Sequence, residues 1–406
     1  MSKKIIICAD GTGQDDLKHT NVSRLYSILN LSDAKSQIGC YHAGVGTIPH
    51  PEVSIARTDP GVVNLCVDSS PFGLRHVRRW ADLAVGYGLF QNVKDLYNVL
   101  IDHYADGDQL FLFGFSRGAF TVRVLAGLLC RCGLLLPEHR ECYSKAFWLY
   151  KPHFEALNPD ELAKRQAAID KFKSKYSRAL EEISFLGIWD TVKSVGYIWP
   201  KSLPLTRHNP IIKRVRHALA IGESRSFFVP TTWGGLAGET KQPIEGQDVQ
   251  EVWFAGNHSD VGGGYDEAEN DLAKISLKWM INQASVCHWG LRVDKDKCGE
   301  LFARERTRPF TPHNELDKLG WRLSERLPRW ELRNDPPPPK RLFKLGPSGR
   351  RVMGRFARLD PKSGKRVILI DSHAENVYST GAPPWFDIDK KEIDVRFVNT
   401  SSEASA

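Results

Sequence analysis

Apolar residues fall into short blocks separated by turn-forming clusters through the first three-quarters of the chain. "KKIIICA" (3–9) is a β-branched run that stops at "DGTG", the pattern of a buried strand and a turn. "QIGCYHAGVGT" (37–47) repeats it. In "QNVKDLYNVLIDHY" (91–104) the period changes. Val93, Leu96, Tyr97, Leu100, Ile101 and Tyr104 recur at helical spacing and predict an amphipathic helix. "ADGDQ" breaks that helix, and "LFLF" (110–113) reads as a strand buried on both faces. "EEISFLGIWDTV" (181–192) and "VQEVWFAGNHSD" (249–260) are two further strands, each ending at an acidic or histidine-bearing turn. Strands alternating with helices predict an α/β fold, a doubly wound and mostly parallel sheet. Such sheets bind ligands beyond the carboxyl ends of their strands. The turns at Asp10, Ser116, Asp190 and His258 all fall there.

Three stretches break the alternation. Residues 137–182 are polar, rich in Lys and Arg and helical in pattern, which predicts a helical cap insertion. Residues 50–90 have little periodicity and carry Pro51, Pro60, Pro71 and Trp80, which predicts a long loop near the site. From about 300 the chain turns Pro- and Arg-rich, and "DPPPPK" (335–340) reads as a stiff connector. A late strand in "KRVILIDSH" predicts that this extension packs back on the body. The division expected is a catalytic unit over 1–300 and a C-terminal extension over 301–406. No internal repeat is evident.

Composition narrows the class. With 406 residues, 41% of them hydrophobic and 26% charged, the chain has ample material for a globular core. The opening lacks a signal-peptide pattern, and the most apolar window, "VLAGLLCRCGLLL", is interrupted by Arg131 and too short to span a bilayer. The expectation is synthesis in the cytoplasm, with export only by a route that needs no cleaved signal. The eight cysteines are scattered, and the Cys130–Cys132 pair has no metal-ligand spacing, so buried reduced thiols are expected. The net charge of +8 is unevenly placed: Arg304–Arg366 holds 18 Lys/Arg against 7 Asp/Glu. Attraction to an anionic membrane surface is one use of such a region. Nucleic acid is not expected, because the segment has no reader motif and no run of stacking aromatics.

The chemistry centres on "FLFGFSRGAF" (111–120). Its Gly114-Phe115-Ser116-Arg117-Gly118 core sits between a predicted strand and a helix, the context that gives a glycine-flanked serine its meaning as a nucleophile elbow. The Arg117 amide would then donate to an oxyanion. A second donor should come from a neighbouring strand's loop, where Gly11 and Thr12 are the candidates. The base should follow the acid in the chain. His258, in "AGNHSDVGGGY", fits as base, with His373 in "IDSHAEN" as its rival. Asp190 in "GIWDTV" fits as acid. Asp10 and Asp260 are possible supporting residues, Asp260 as a shaper of the histidine loop.

The blocks "CADGTGQD", "YHAGVGT", "LFLFGFSRGAFTVR", "FLGIWDTVKSVG", "HALAIGESRSFF" and "EVWFAGNHSDVGGGY" occur in this order over about residues 4–265. Together they resemble an α/β-hydrolase domain family, formerly of unknown function, that includes the phospholipase effectors of type VI secretion. "LIDSHAENVYS" resembles its C-terminal block. The resemblance implies a Ser116–Asp190–His258 triad, hydrolysis of lipid ester bonds and no metal or organic cofactor. Two positions depart from the family pattern: Gly222 stands where an Asp is common, and Gln14 or Asp15 where an Asn is usual. Neither touches the triad. Substrate is less constrained, and a small-molecule esterase or thioesterase is the nearest alternative. No feature identifies a secretion or immunity partner.

Two readings from other classes fare worse. A magnesium-dependent phosphatase would need an aspartate two residues before Asp10, where Cys8 stands, and would leave the serine elbow unexplained. A non-catalytic binding module would not require Ser, Asp and His in triad order. A fluorophosphonate, EDTA and Ser116→Ala separate the three.

Overall fold

The computed structural model describes residues 2–11, 20–44, 58–65, 87–151, 158–192, 203–225, 228–234, 244–286, 290–303, 310–318, 329–333, 340–344, 358–359, 366–378 and 393–400. Strands β1 (Lys4–Ala9), β2 (Gln37–His42), β3 (Val62–Val63) and β4 (Gln109–Phe115) are joined through helices α1 (Asn21–Ser27) and α2 (Tyr87–His103). Helix α3 (Ser116–Cys132) starts directly at the end of β4. A short antiparallel pair, β5 (Leu134–Leu135) and β6 (Ser177–Arg178), brackets helices α4 (Tyr143–Tyr150) and α5 (Pro159–Tyr176). Then come β7 (Ile183–Trp189), β8 (Ile212–Ala220), β9 (Asp248–Phe254) and three helices, α6 (His258–Gly262), α7 (Asp271–Ser285) and α8 (Lys295–Phe302). A hairpin of β10 (Arg329–Arg333) and β11 (Lys340–Lys344) precedes β12 (Arg358–Leu359), β13 (Arg366–Asp371), helix α9 (His373–Val377) and β14 (Ile393–Val398).

The main sheet runs β3-β2-β1-β4-β7-β8-β9-β13, with β14 on the far edge of β13, and every one of these pairings is parallel. Only β12 is antiparallel, beside the start of β13. The order reverses at β1, whose neighbours are β2 on one side and β4 on the other. Chains leaving β1 and β4 therefore diverge, which opens the crevice where doubly wound sheets place their ligands.

Alternation along the strands feeds two cores. On one face Ile5, Ile7, Leu110 and Leu112 pack beneath α2 and α3, and Tyr143, Phe147, Tyr150, Ile169 and Phe172 of α4 and α5 join the same cluster. The described helices of the 137–182 insertion thus lie against a face of the sheet. On the other face Ile6, Cys8, Phe111, Phe113 and Trp189 pack under α1 and α7.

β8 is the central strand whose sequence disguised it. "IKRVRHALA" has three basic residues among its first five, yet Arg216 is buried. Its guanidinium donates to Asp248 Oδ2 at 2.6 Å and to Gln283 Oε1 at 2.6 Å, so partners on β9 and α7 satisfy a charge that a strand pattern would not predict.

Much of the loop expected at 50–90 and most of the basic 304–366 region, including Asp335–Pro339 of the proline run, lie outside the described residues. No described helix is long and apolar enough to cross a membrane.

Candidate active site

The site begins with two strained residues at the ends of adjacent strands. Phe115 of β4 and Trp189 of β7 are register partners, and the residue after each has positive φ: Ser116 at 56° and Asp190 at 35°. A non-glycine residue there costs about 1–3 kcal/mol and persists only where its surroundings hold it. Ser116 is held by the immediate start of α3. The two glycines of its motif answer to contact rather than to torsion. A Cβ on Gly114 would lie 2.7 Å from Ala119 Cα, and one on Gly118 would lie 2.1 Å from the Ala9 carbonyl oxygen. Helix α3 can therefore sit tightly on β1 and β4 only if both positions lack a side chain.

Asp190 is fixed through both carboxylate oxygens. Oδ1 accepts from the Ala220 N–H at 3.1 Å, and Oδ2 lies 2.6 Å from His258 Nδ1. Its own N–H donates to the Ala218 carbonyl at 2.7 Å. The next amide, Thr191 N–H, donates to His217 Nε2 at 3.3 Å. Nδ1 of His217 then carries the proton and donates it to Glu251 at 2.7 Å. Burial first, and Arg123 in addition, lower the His217 pKa, which keeps this ring the neutral acceptor that the turn requires.

His258 is the first residue of α6 and follows β9, three strands from β4. At about 4.8 Å per strand that is roughly 14 Å, so the loop must reach back. It does so through Gly262, which rests against the Phe115 ring, and through a bridge between Thr20 and Gly263. The imidazole sits between two aromatic rings, Phe115 at 4.6 Å and Phe228 edge-on at 4.8 Å. Burial is the largest influence on its pKa and takes it below the ordinary histidine value, against the opposing pull of Asp190. The rival His373 follows β13, a further strand away, and its Nδ1 faces Asp371 at 3.2 Å.

A Cβ at Gly262 would fall 1.9 Å from the Phe115 ring. Gly262→Ala should therefore push Phe115 away from His258 and lower stability by about 1–3 kcal/mol, the usual range for overpacking. Urea unfolding checks it: an unchanged midpoint would show that the loop yields freely.

Asp10 lies beside this constellation without joining it. It accepts from Tyr41 Oη at 2.8 Å, from the Gly11 N–H at 2.8 Å and from the Thr20 hydroxyl, tying β1 to β2 and to the cap of α1. Burial raises its pKa to about 6, in spite of those three donors. Gly11 does stand next to the serine, since a Cβ there would be 3.6 Å from Ser116 Oγ. Its N–H is nonetheless engaged by Asp10, so donation to a substrate requires that bond to be exchanged. Thr12, Gln14 and Asp15 lie outside the described residues. Arg117 occupies the second position of α3.

Asp260 caps the histidine helix. It accepts from the Asn257 N–H at 2.9 Å while Asn257 Oδ1 accepts from the amides of Ser259 and Asp260. Two further residues escaped sequence reasoning. Glu223 Oε2 accepts from the His258 N–H at 3.2 Å, and Arg225 pairs with Glu223 at 2.7 Å and stacks 3.7 Å over the Phe228 ring. Both are buried. The "GESRSFF" string holding them carries a weak signal only, a Glu and an Arg two apart just beyond a strand end. Gly222 itself is closely met, with Tyr378 Oη and Gly256 O each 3.0 Å from an added Cβ. Among the described residues no group of three His, Cys, Asp or Glu side chains is arranged to hold a metal ion.

A family model described as the type VI secretion system phospholipase effector Tle1-like catalytic domain matches residues 3–283. The chain belongs to this family. Among curated proteins it is 31% identical to the uncharacterized protein YEL023C of Saccharomyces cerevisiae over 229 residues, 56% of this chain and 32% of that protein. Two solved structures are similar at 18% identity. One is the Tle1 effector bound to the VgrG spike from the type 6 secretion system, with TM-score 0.33, covering 67% of this chain and 52% of that one. The other is an uncharacterized protein from Pseudomonas aeruginosa, with TM-score 0.37, covering 78% of this chain and 49% of that one. This Tle1-like chain thus spans about a third of its curated relative and about half of each solved structure.

Proposed function

We propose that the chain is a serine hydrolase of lipid carboxylic esters, a phospholipase or lipase, working through an acyl-enzyme on Ser116. The observation that carries this reading is the buried Asp190–His258 pair at 2.6 Å, set beside a serine held at φ 56° on the adjoining strand end. Membership of a phospholipase-effector catalytic family supports lipid as the substrate class. Residues 1–300 are read as the catalytic unit, with 137–182 inserted into it.

Asp190 fixes the tautomer in which His258 Nδ1 carries the proton, leaving Nε2 as the base. Nε2 takes the proton from Ser116 Oγ as that oxygen attacks the acyl carbonyl carbon. The carbonyl oxygen becomes an oxyanion facing the start of α3, where the Arg117 N–H donates, with Gly11 or Thr12 supplying the second donor. When the tetrahedral species collapses, the imidazolium returns its proton to the departing alcohol. A water then repeats the sequence and releases the fatty acid. None of these steps calls for a metal or an organic cofactor.

The test is hydrolysis of fluorescent phospholipids and a p-nitrophenyl ester series, together with fluorophosphonate labelling. Phospholipid cleavage supports the reading; activity confined to short esters would make the protein a small-molecule esterase, and no labelling would remove the nucleophile. EDTA should leave the rate unchanged. A pH dependence also follows. His258 must be neutral to act as base, and burial holds its pKa below the ordinary value. Activity should therefore persist as pH falls past about 6.5 and decline only below it. A kcat/KM profile already falling above pH ~7 on its acid side would contradict this.

A further inference from the structure

His313 lies 30 residues beyond the matched family region and outside the expected catalytic unit, yet it holds the cap of the helix that carries His258. Asp260 is the hinge of this arrangement. One of its oxygens, Oδ2, accepts from the Asn257 N–H and also from the His313 N–H, both at 2.9 Å. The other, Oδ1, meets His313 Nδ1 at 2.7 Å. Asn257 returns the contact, its Nδ2 donating to the His313 carbonyl at 3.1 Å and to Tyr265 Oη at 2.7 Å. The His313 ring stacks on Tyr265 at 3.9 Å. His258 stands between Asn257 and Asp260 in this box, at the first position of α6.

Geometry limits what else could hold the box. Helix α6 is only five residues long, too short to keep its own register without partners. Asp260 is buried, and its described side-chain partners are the Asn257 amide and the two nitrogens of His313. The same segment also reaches the site by a second path. Glu315 accepts from Tyr265 Oη at 2.7 Å and lies 3.9 Å from Arg225, which stacks on the Phe228 ring beside His258.

We propose that His313 is a positioning residue for the hydrolytic reaction: through Asp260 it fixes the capped turn that aims the His258 imidazole at Ser116. This rests on the hydrolase reading above. It makes the segment Phe310–Lys318 a working part of the active site rather than an extension packed beside it. The groups facing His313 are Asp260 from α6, Glu269 at 3.7 Å from its Nε2, Tyr265, and Glu315 with its Lys318 partner. The bond to Asp260, ahead of the other causes, raises the His313 pKa, so the ring is charged at neutral pH more readily than a free histidine. Its charge is lost as pH rises through that raised value, which weakens the hold on Asp260 from the alkaline side.

The test compares wild type, His313→Ala and His313→Asn, whose side-chain amide can donate where Nδ1 does but carries no charge. Each is assayed for ester hydrolysis against pH, for fluorophosphonate labelling and for thermal unfolding. His313→Ala should lower kcat by about 10- to 100-fold with KM nearly unchanged, the scale expected when a reacting group is misaligned. His313→Asn should recover most of that loss and should abolish the alkaline decline while leaving the acid limb, set by His258, in place. An unaltered kcat in His313→Ala, or the same alkaline limb in His313→Asn, would overturn the proposal. If His313→Ala does not fold, the His313→Asn profile decides alone. Wild-type protein that neither hydrolyses esters nor labels would overturn the hydrolase reading and this inference with it, whereas labelled wild type beside an unaffected His313→Ala removes the inference only.

Discussion

Ser116→Ala should reduce ester hydrolysis by at least about 10³-fold and eliminate fluorophosphonate labelling, while far-UV circular dichroism and thermal unfolding remain close to wild type. The size follows from the removal of the attacking oxygen, after which only binding and oxyanion stabilisation remain to accelerate attack by water. The preservation of fold follows from the smallness of the change: it removes one oxygen and adds no bulk, and alanine inherits the backbone at φ 56° with its strain neither relieved nor increased. Stability should therefore shift by no more than about 1 kcal/mol. Two outcomes would be informative against this reading. Retained hydrolysis would place the nucleophile elsewhere, and retained fluorophosphonate labelling would show that another side chain is the one modified.

Asp190→Asn is the second large effect, and its physical cause differs. The carboxylate is fully buried, donates nothing, and binds His258 Nδ1 through one oxygen and the Ala220 amide through the other. Asparagine can keep the shape but presents an N–H to one of those two donors. If its amide nitrogen faces His258, Nδ1 must become the acceptor and Nε2 carries the proton, which disables it as base. The expected fall in kcat is about 10⁴-fold, by analogy with the same exchange in a serine protease triad. KM should change far less, because the acid does not touch substrate. His258→Ala should be comparably severe. His373→Ala is the matched control and should leave the rate within about twofold, since His373 sits beside Asp371 at the end of β13, four strands from β4 in the sheet. A His373→Ala protein with the activity of His258→Ala would reverse the assignment of the base.

Local sequence carried the strand–turn–helix around Ser116 almost completely. Apolar strand, glycine on each side and small residues after it describe a tight elbow, because the packing of α3 on β1 and β4 excludes a Cβ at both glycines. The helix in "QNVKDLYNVLIDHY" was equally readable and is longer by one turn at its start, from Tyr87 to His103. These features depend on neighbours in the chain, so the pattern holds the information. The positions of Asp190 and His258 were legible for a related reason: all strands of the sheet's centre are parallel, so every strand-end turn falls on one edge.

What the chain order could not convey is who answers whom across that edge. β8 was hidden by Lys213, Arg214 and Arg216, and only Asp248 and Gln283, brought alongside by the sheet and α7, make a buried arginine there tolerable. Gly11 stood out as an oxyanion donor, but the carboxylate that occupies its N–H comes from the residue before it, oriented by Thr20 and Tyr41. Glu223 and Arg225 lie in one of the quoted blocks, but nothing in its pattern gives them a role, and His313 lies in none. Glu223 and Arg225 gain their place beside His258 from burial that demands a partner for each charge, and His313 gains its place from the buried carboxylate of Asp260; those partners lie from 2 to 56 residues away in sequence. The sequence alone determined the fold class and the placing of three candidate residues, Ser116, Asp190 and His258, on one edge of a parallel sheet. Only the tertiary structure decided how the histidine loop crosses three strands to lie against Phe115 and Thr20, because that crossing is fixed by contacts between segments that are remote in the chain.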